Sequence, residues 1–409
     1  MPISIERFHP PSFTLSAELR WVLARAFGPC DGSPPSGPLE LQVAIEVAGA
    51  LQLASRIASR QPEGRLAAEV GGELALLLQR RRRQDAARET AIDAGLGRVA
   101  SHLDAHRLPF APLKLAALMR GGYLAAGSRG GADVDILVPR SRISELREVL
   151  LKEGYRQSAL GEPEHQLPSF FDPTGCMVEV HLVVLGVRIA ESRRSAGYEN
   201  LDRSGLLQSC EGPQGVLSMP KREVLAAHAL AHGLAQHGAR PGDYPLFRMV
   251  ADLQDLGATG SEGDPVLAPV PAWLERTVKP DLVAAVAELI RCLSGPDPLP
   301  AEGPWLHSPA GILLRHFAAA ALEPRYRRAL ALAVLEPRLS DHGAAWVLSS
   351  TLFRALYPSR AALAALYGPN RSWPRLLGQR LWRPIDLAVR LVRALRARLG
   401  RDRSWGRDA

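Results

Sequence analysis

In the segment Gly127-Ser128-Arg129-Gly130-Gly131-Ala132-Asp133-Val134-Asp135-Ile136-Leu137-Val138, two aspartates flank a single valine and lead into an apolar, β-branched run. On a strand, residues two apart face the same side, which puts the two carboxylates roughly 6–7 Å apart. Two like charges set there in apolar surroundings repel unless a cation lies between them. Magnesium, or manganese in its place, suits such a site because it takes hard oxygen ligands and keeps positions open for phosphate oxygens. Phosphoryl and nucleotidyl transfer call for a further carboxylate. Met177-Val178-Glu179-Val180-His181 offers one, since Glu179 is the acid in a strand that otherwise reads as buried. Paired beside Val134–Val138, that strand would bring Glu179 to Asp133 and Asp135, as metal ligand or as base for an incoming hydroxyl. His181 shares its face and would orient Glu179 or touch substrate.

Two further groups admit more than one reading. The glycines from 127 to 131 make either a flexible turn or a nest of backbone amides that, with Arg129, holds a triphosphate. His228 and His232, at i and i+4, would bind zinc only with a third ligand such as Asp252; packing between helices with buried hydrogen bonds is the simpler expectation.

These residues need elements to position them. Residues 14–107 read as helical, from apolar spacings of three and four in Leu39–Glu46 and Leu66–Leu78, with breaks at 28–38 and Gln61–Gly64. The run Arg80-Arg81-Arg82-Arg83 sits on such a helix and reads as a solvated face, with phosphate binding the minor alternative. Between 108 and 185 the texture changes: Leu108–Leu113 is short and extended, Val134–Val138 is a strand, and 141–153 is a helix capped by Ser141. A hairpin follows, Gln166–Phe171 and Cys176–Leu185 about the turn Asp172-Pro173-Thr174-Gly175. From Met219 the chain turns helical again, with Pro220 opening a helix that carries His228 and His232, another at Phe247–Leu256, and a last at Ile385–Leu399 with a leucine stripe among arginines. The expected architecture is α+β: a small mixed-sheet core at 108–215, an N-terminal helical region at 1–107, and a C-terminal helical region at 216–409 ending in a basic amphipathic helix.

The region 93–256 resembles the bacterial uncharacterised nucleotidyltransferase family within the DNA polymerase β-type superfamily. The resemblance rests on Leu113-Lys114, Ser128-Arg129, Asp133-Val134-Asp135-Ile136-Leu137-Val138, Gly154-Tyr155, His165, Glu179-Val180-His181, the pair His228 and His232, and Asp252-Leu253. It implies that Asp133, Asp135 and Glu179 bind the metals, that Ser128 and Arg129 bind phosphate, and that Lys114 binds nucleotide or phosphate. His181 joins that nucleotide-binding set. The implied reaction moves a nucleoside monophosphate from an NTP to an acceptor and releases pyrophosphate. The acceptor class stays open among small molecule, peptide, protein and RNA. Two departures stand out. Leu115 replaces the glycine expected after Lys114, and Gly127-Ser128 lies nearer the first aspartate than the superfamily's Gly-Ser does. They motivate a second expectation, a degenerate nucleotidyltransferase that binds nucleotide or a partner without turnover.

Composition narrows the classes. The 409 residues are 46% hydrophobic and 22% charged, an ordinary globular balance. No apolar run nears the roughly 18 residues that span a bilayer. The N-terminus lacks a secretory pattern, and Cys30, Cys176, Cys210 and Cys292 are scattered, so a cytoplasmic protein with reduced thiols is expected. The net charge of +8 is concentrated at 371–409, where eleven arginines face three aspartates, leaving the remainder neutral. A nucleic-acid footprint would spread over the body of the chain, so RNA binding or a membrane-surface role for the tail is disfavoured. Only four of the fifty basic residues are lysines, which singles out Lys114 for a chemical role.

Overall fold

The computed structural model describes residues 15–29, 39–158, 165–189, 194–212, 215–236, 246–295, 299 and 303–322. The basic segment 371–409, with the helix expected at 385–399, lies outside the described residues, as does Cys30.

Five helices come first: α1 (Ala17–Phe27), α2 (Leu41–Ala50), α3 (Ala54–Arg60), α4 (Glu63–Val70) and α5 (Gly72–Ala105). The helical pattern expected over 66–78 is interrupted at Gly71, whose φ of +81° favours glycine and separates α4 from α5. Then come β1 (Ala111–Pro112), α6 (Lys114–Arg120), β2 (Asp133–Leu137), α7 (Ile143–Lys152), β3 (Arg156–Gln157), β4 (Phe170–Phe171) and β5 (Met177–His181). The described chain closes with α8 (Tyr198–Arg203), β6 (Leu207–Gly212), β7 (Gly215–Pro220), α9 (Arg222–Leu230), α10 (Leu246–Asp255), α11 (Val270–Leu274), α12 (Pro280–Ser294) and α13 (Pro309–Leu322). This is the α+β class, a mixed sheet with helical flanks.

The main sheet runs β1-β2-β5-β4-β3. All its pairings are antiparallel except β2 with β5, which is parallel and therefore needs the crossover that α7, β3 and β4 supply. The expected hairpin is present, closed by a Gly175 N–H to Asp172 carbonyl bond of 2.9 Å. Period-two alternation sorts the residues of β2 and β5. Val134, Ile136, Val178 and Val180 join a core with Ile92, Leu96 and Val99 of α5 and with Leu146, Val149 and Leu150 of α7. The intervening residues, Asp133, Asp135, Glu179 and His181, occupy the other face.

Helix α5 has 34 residues, about 51 Å of helix at 1.5 Å per residue. Its N-terminal part contributes Ala75 and Leu78 to a core shared with α1–α4 and the later helices. Its C-terminal part, from Ile92 to Leu103, lies in the sheet core. Between them runs a polar stretch in which Asp85 and Glu89 are nonetheless buried. One rigid rod thus holds the helical part and the sheet at a fixed separation, and the main cleft opens along that polar stretch.

Three local expectations change. Ser141 is not the N-cap of α7: it lies in a 3-10 turn, Arg140–Arg142, and its amide and hydroxyl turn to Glu199 at 3.4 and 3.2 Å. Met219 and Pro220 end strand β7 instead of opening a helix, and α9 starts at Arg222. His232 falls past α9 in a π-helical turn, Ala231–Gln236. The β6–β7 ribbon has no counterpart in the sequence reading, because Gln208, Ser209 and Glu211 break its apolar alternation.

Candidate active site

The parallel register sets Asp135 directly opposite Glu179, with Asp133 opposite Met177 and Leu137 opposite His181. Asp135 is 2% exposed and Glu179 20%. The Lys114 ammonium donates to Asp135 Oδ1 at 2.6 Å and lies 3.7 Å from Glu179 Oε2. His181 Nε2 reaches the same Asp135 oxygen at 2.7 Å and is 3.8 Å from Glu179. His181 therefore braces Asp135 more closely than Glu179, the partner expected from its strand position.

Lys114 is delivered by an unusual backbone. The Leu113 N–H extends β1 by bonding the Asp135 carbonyl at 2.9 Å. The next residue, Lys114, then turns left-handed, with φ +47°, as α6 begins. For a residue with a Cβ that conformation costs about 1–2 kcal/mol, and strain of this kind collects at functional sites. Leu115, which stands where glycine was expected, is buried in the sheet core. Room for it comes from Gly131, where a Cβ would collide with the Leu115 side chain. The glycine has in effect moved across the contact.

Charge in this pocket is unbalanced. Three carboxylates face one ammonium, a deficit of two positive charges if all are ionised. Burial pushes the Glu179 carboxyl up, Asp135 pushes it further, and Lys114 only partly offsets both. Burial and Asp135 likewise raise Asp133 against the pull of Lys114 and Arg129. Burial alone would lower the Lys114 ammonium, but Asp135, Asp133 and Glu179 outweigh it and hold it above the ordinary lysine range. His181 is driven down to about 3 by burial and by Lys114, so its ring is neutral. His228 packs edge-on against His181 at 6.5 Å and against His232 at 5.8 Å, and burial lowers it too.

The ligand atoms of Asp135, Glu179 and His181 all lie within 4.8 Å of one another, the one such gathering of three or more among the described residues. Oxygen donors dominate it, which fits a hard divalent cation, and the imidazole also admits manganese. His228, His232 and Asp252 make no comparable group, so the zinc alternative is not borne out.

Lys114 and the three carboxylates form one wall of a cleft of about 710 Å³, which His181 does not line. Its lining includes Lys114, Arg129, Asp133, Asp135 and Glu179 from the sheet side, Ser55, Arg81, Asp85 and Arg88 from α3 and α5, and Arg248 from α10. Ser128 is buried outside that lining, in a small recess with Arg56, Asp252 and Asp255.

The loop from 127 to 131 is a nest of amides, but a protein carboxylate fills it. Glu89 accepts from the N–H groups of Gly127 at 2.6 Å and of Arg129 and Gly130 at 3.2 Å each. Gly127 is obligatory there: φ is +74°, and a Cβ would lie 2.6 Å from the Arg82 carbonyl oxygen. Arg129 grips Asp252 of α10 with two nitrogens, Nε at 2.6 Å and Nη2 at 2.9 Å. Arg248, one turn before Asp252, donates to the Gly130 carbonyl. The loop is thus clamped between α5 and α10, and α10 is itself tied to α3 by Arg56 on Asp255 at 2.6 Å. Sequence reasoning missed Glu89, Asp85, Arg88 and Arg248. The available signal was the pair Asp85 and Glu89, two acids one turn apart in an arginine-dense helix.

A mixed sheet carrying Asp-x-Asp and a facing Glu beneath a cationic cleft, with helices before and after, defines a nucleotidyltransferase-like core. Residues 38–263 match the model of the family described as uncharacterised nucleotidyltransferase, and the chain belongs to that family. It is also similar to the crystal structure of an antigenic nucleotidyltransferase-like protein from Paracoccidioides brasiliensis, at 15% identity and a TM-score of 0.28, over 47% of this chain and 95% of that one. No curated protein matches.

Proposed function

We propose that this protein is a metal-dependent nucleotidyltransferase of the DNA polymerase β type, moving a nucleoside monophosphate from an NTP to an acceptor and releasing pyrophosphate. The observation that carries this reading is the register of β2 with β5, which sets Asp135 against Glu179 with Asp133 on the same face at the wall of the cleft. Asp133, Asp135 and Glu179 would hold magnesium or manganese; Asp135 and Glu179 already gather with His181 closely enough to share an ion, Asp133 would join them from the same strand face, and His181 would serve as a further ligand or as the brace of Asp135. The bound ion would polarise the α-phosphate and screen the developing charge.

The chain's own residues do the rest. Lys114 partly offsets the charge of Asp135 and Glu179, and with a metal ion bound its ammonium would be available to phosphate. Glu179, with its proton affinity raised by burial and Asp135, suits the acceptance of a proton from the attacking hydroxyl. Arg129 lines the cleft with its fork held by Asp252, so it would act as a fixed positive charge beside the nucleotide. The acceptor stays open among small molecule, peptide, protein and RNA. Among the described residues no single helix is long and apolar enough to cross a membrane. A cytoplasmic setting is part of the proposal, in keeping with free thiols at Cys176, Cys210 and Cys292.

The test is pyrophosphate release from each NTP with Mg²⁺ or Mn²⁺, for wild type and for Asp133→Ala/Asp135→Ala. Slow turnover onto water that vanishes in the variant supports the reading. Binding of metal and nucleotide by the wild type with no turnover under any acceptor mixture favours a non-catalytic module. One observation speaks for that second reading: Glu89 occupies the amides that would otherwise cradle phosphate. Failure of the wild type to bind metal-nucleotide at all would rule out both.

A further inference from the structure

We propose that the polyphosphate of the nucleotide is gripped from helix α5, by Arg81 and Arg88, instead of by the glycine loop. This rests on the nucleotidyltransferase reading above and assigns the part of it that the loop leaves vacant. The amides of Gly127, Arg129 and Gly130 already satisfy a carboxylate that is 5% exposed. A phosphate brought to the same amides would meet that buried anion at van der Waals range, with little water to screen the repulsion. The two-nitrogen fork of Arg129, the geometry that suits phosphate best, is turned onto Asp252.

Across the cleft the situation is reversed. Arg81 and Arg88 stand one turn before and after Asp85, on the polar stretch of α5. Asp85 is 5% exposed and accepts from the Ser55 hydroxyl at 2.5 Å, from Arg88 Nη1 at 3.0 Å, and lies 3.4 Å from Arg81 Nε. Each guanidinium meets that carboxylate through one nitrogen, and their side chains remain 49% and 52% exposed. One buried negative charge therefore organises two positive ones, leaving a net positive charge and free donor edges on the lining of the cleft that also holds Asp133, Asp135 and Glu179. A guanidinium presents its donors in a planar fork that matches phosphate oxygens.

Position favours the same assignment. A Cβ at Gly130 would lie 2.6 Å from Asp85 Oδ1, so the arginine cluster abuts the loop three residues before Asp133. Helix α5 is anchored in both hydrophobic cores, which makes its polar stretch a fixed platform. A β,γ-phosphate tail would run from the metal-binding carboxylates to α5, and pyrophosphate would leave along that wall.

Titration calorimetry with inorganic tripolyphosphate in Mg²⁺ tests this without knowledge of the base preference. The variant is R81Q/D85N/R88Q, which removes the buried charge together with its partners so that no ion is stranded. It should bind at least about tenfold more weakly than wild type, the scale expected of two charge-assisted, partly exposed contacts. R81K/R88K should recover part of the loss, and E89Q should stay within about threefold of wild type. Equal affinity for wild type and R81Q/D85N/R88Q, or an E89Q loss as large as that of the arginine variant, overturns the assignment. A wild type that binds no tripolyphosphate overturns it too. The pyrophosphate-release assay then tells whether the nucleotidyltransferase reading falls with it, since carboxylate-dependent turnover would survive an error about α5 alone.

Discussion

Replacing Lys114 with methionine tests how the acidic pocket is balanced. Methionine keeps the length and apolar stem of lysine, and it inherits the same φ of +47°, so backbone strain is unchanged. The substitution removes an ammonium 2.6 Å from Asp135 and 3.7 Å from Glu179. At an effective dielectric near 20 those pairs correspond to roughly 6 and 4–5 kcal/mol of gross attraction, most of which offsets desolvation. What is lost on stranding buried carboxylates is about 3–5 kcal/mol. The lower end applies here, because Lys114 and Glu179 are each about one-fifth exposed. A divalent ion can replace the missing charge. In wild type the ion must displace the ammonium, whereas in Lys114→Met that competitor is gone and only the His181 ring still meets the Asp135 oxygen. Lys114→Met should therefore melt several degrees below wild type in EDTA, and Mn²⁺ should raise its melting temperature by more than it raises that of wild type. Tenfold tighter metal binding would add about 1.4 kcal/mol to that gain at saturating metal. Differential scanning fluorimetry across a Mn²⁺ series reads both quantities. Equal melting temperatures in EDTA would refute the counter-ion role of Lys114. A destabilised variant that Mn²⁺ does not rescue would refute the metal site.

Three other perturbations probe the frame around the pocket. Glu89→Ala strands three amides, two of them buried, and should destabilise the fold by about 3 kcal/mol or more in urea titration, while a loss under about 1 kcal/mol would mean water replaces the carboxylate. Gly127→Ala combines a left-handed φ of +74° with a Cβ 2.6 Å from the Arg82 carbonyl oxygen, and should lose about 1–3 kcal/mol by the same titration. At Asp172, burial alone would raise the carboxyl, but hydrogen bonds from Thr174, Arg98 and the Cys176 amide outweigh it and hold it below the ordinary range. Its stabilising contribution is thus complete above an unfolded-state value of about 3.9 and fades as pH falls through the lower folded value. Asp172→Asn should be less stable than wild type at pH 7, and the gap in urea midpoint should narrow below about pH 4. A gap independent of pH would show that shape, not charge, is what Asp172 supplies.

The sequence is most legible where local pattern and tertiary environment agree. Alternation alone separates Asp133, Asp135 and Glu179 from Val134, Ile136, Val178 and Val180, because a strand has only two faces and only one of them can be apolar core. The hairpin turn at Asp172–Gly175 is equally local, fixed by Asp, Pro and Gly at positions that few other residues tolerate. The β6–β7 ribbon escapes because its inward residues are Leu217 and Met219 amid polar neighbours, a pattern too weak to separate from loop. For the loop before Asp133 one of the two sequence readings is an amide nest that holds a triphosphate with Arg129; in the fold the amides converge on Glu89, an occupant that the sequence does not reveal. Glu89 lies 38 residues before Gly127, and Asp252 lies 123 residues after Arg129. No spacing rule connects such partners; only the packing of α5 and α10 against the loop does.

That difference decides how charges in the site are to be interpreted. An arginine beside a glycine loop and an arginine on a charged helix look, in sequence, like a phosphate ligand and a solvated surface. In the fold Arg129 is held by a carboxylate on α10, while Arg81 and Arg88 share one carboxylate and line the cleft. A cation's role follows from how completely its neighbours neutralise it, and that is a property of the partners it meets. Lys114 obeys the same rule from the opposite side. Its one charge faces three carboxylates, so the residual charge of its surroundings is negative, which suits the divalent cation proposed for that end of the cleft. The cleft thus has an anionic end on the sheet and a cationic end on α5, the arrangement that a metal-bound polyphosphate requires of its binding site.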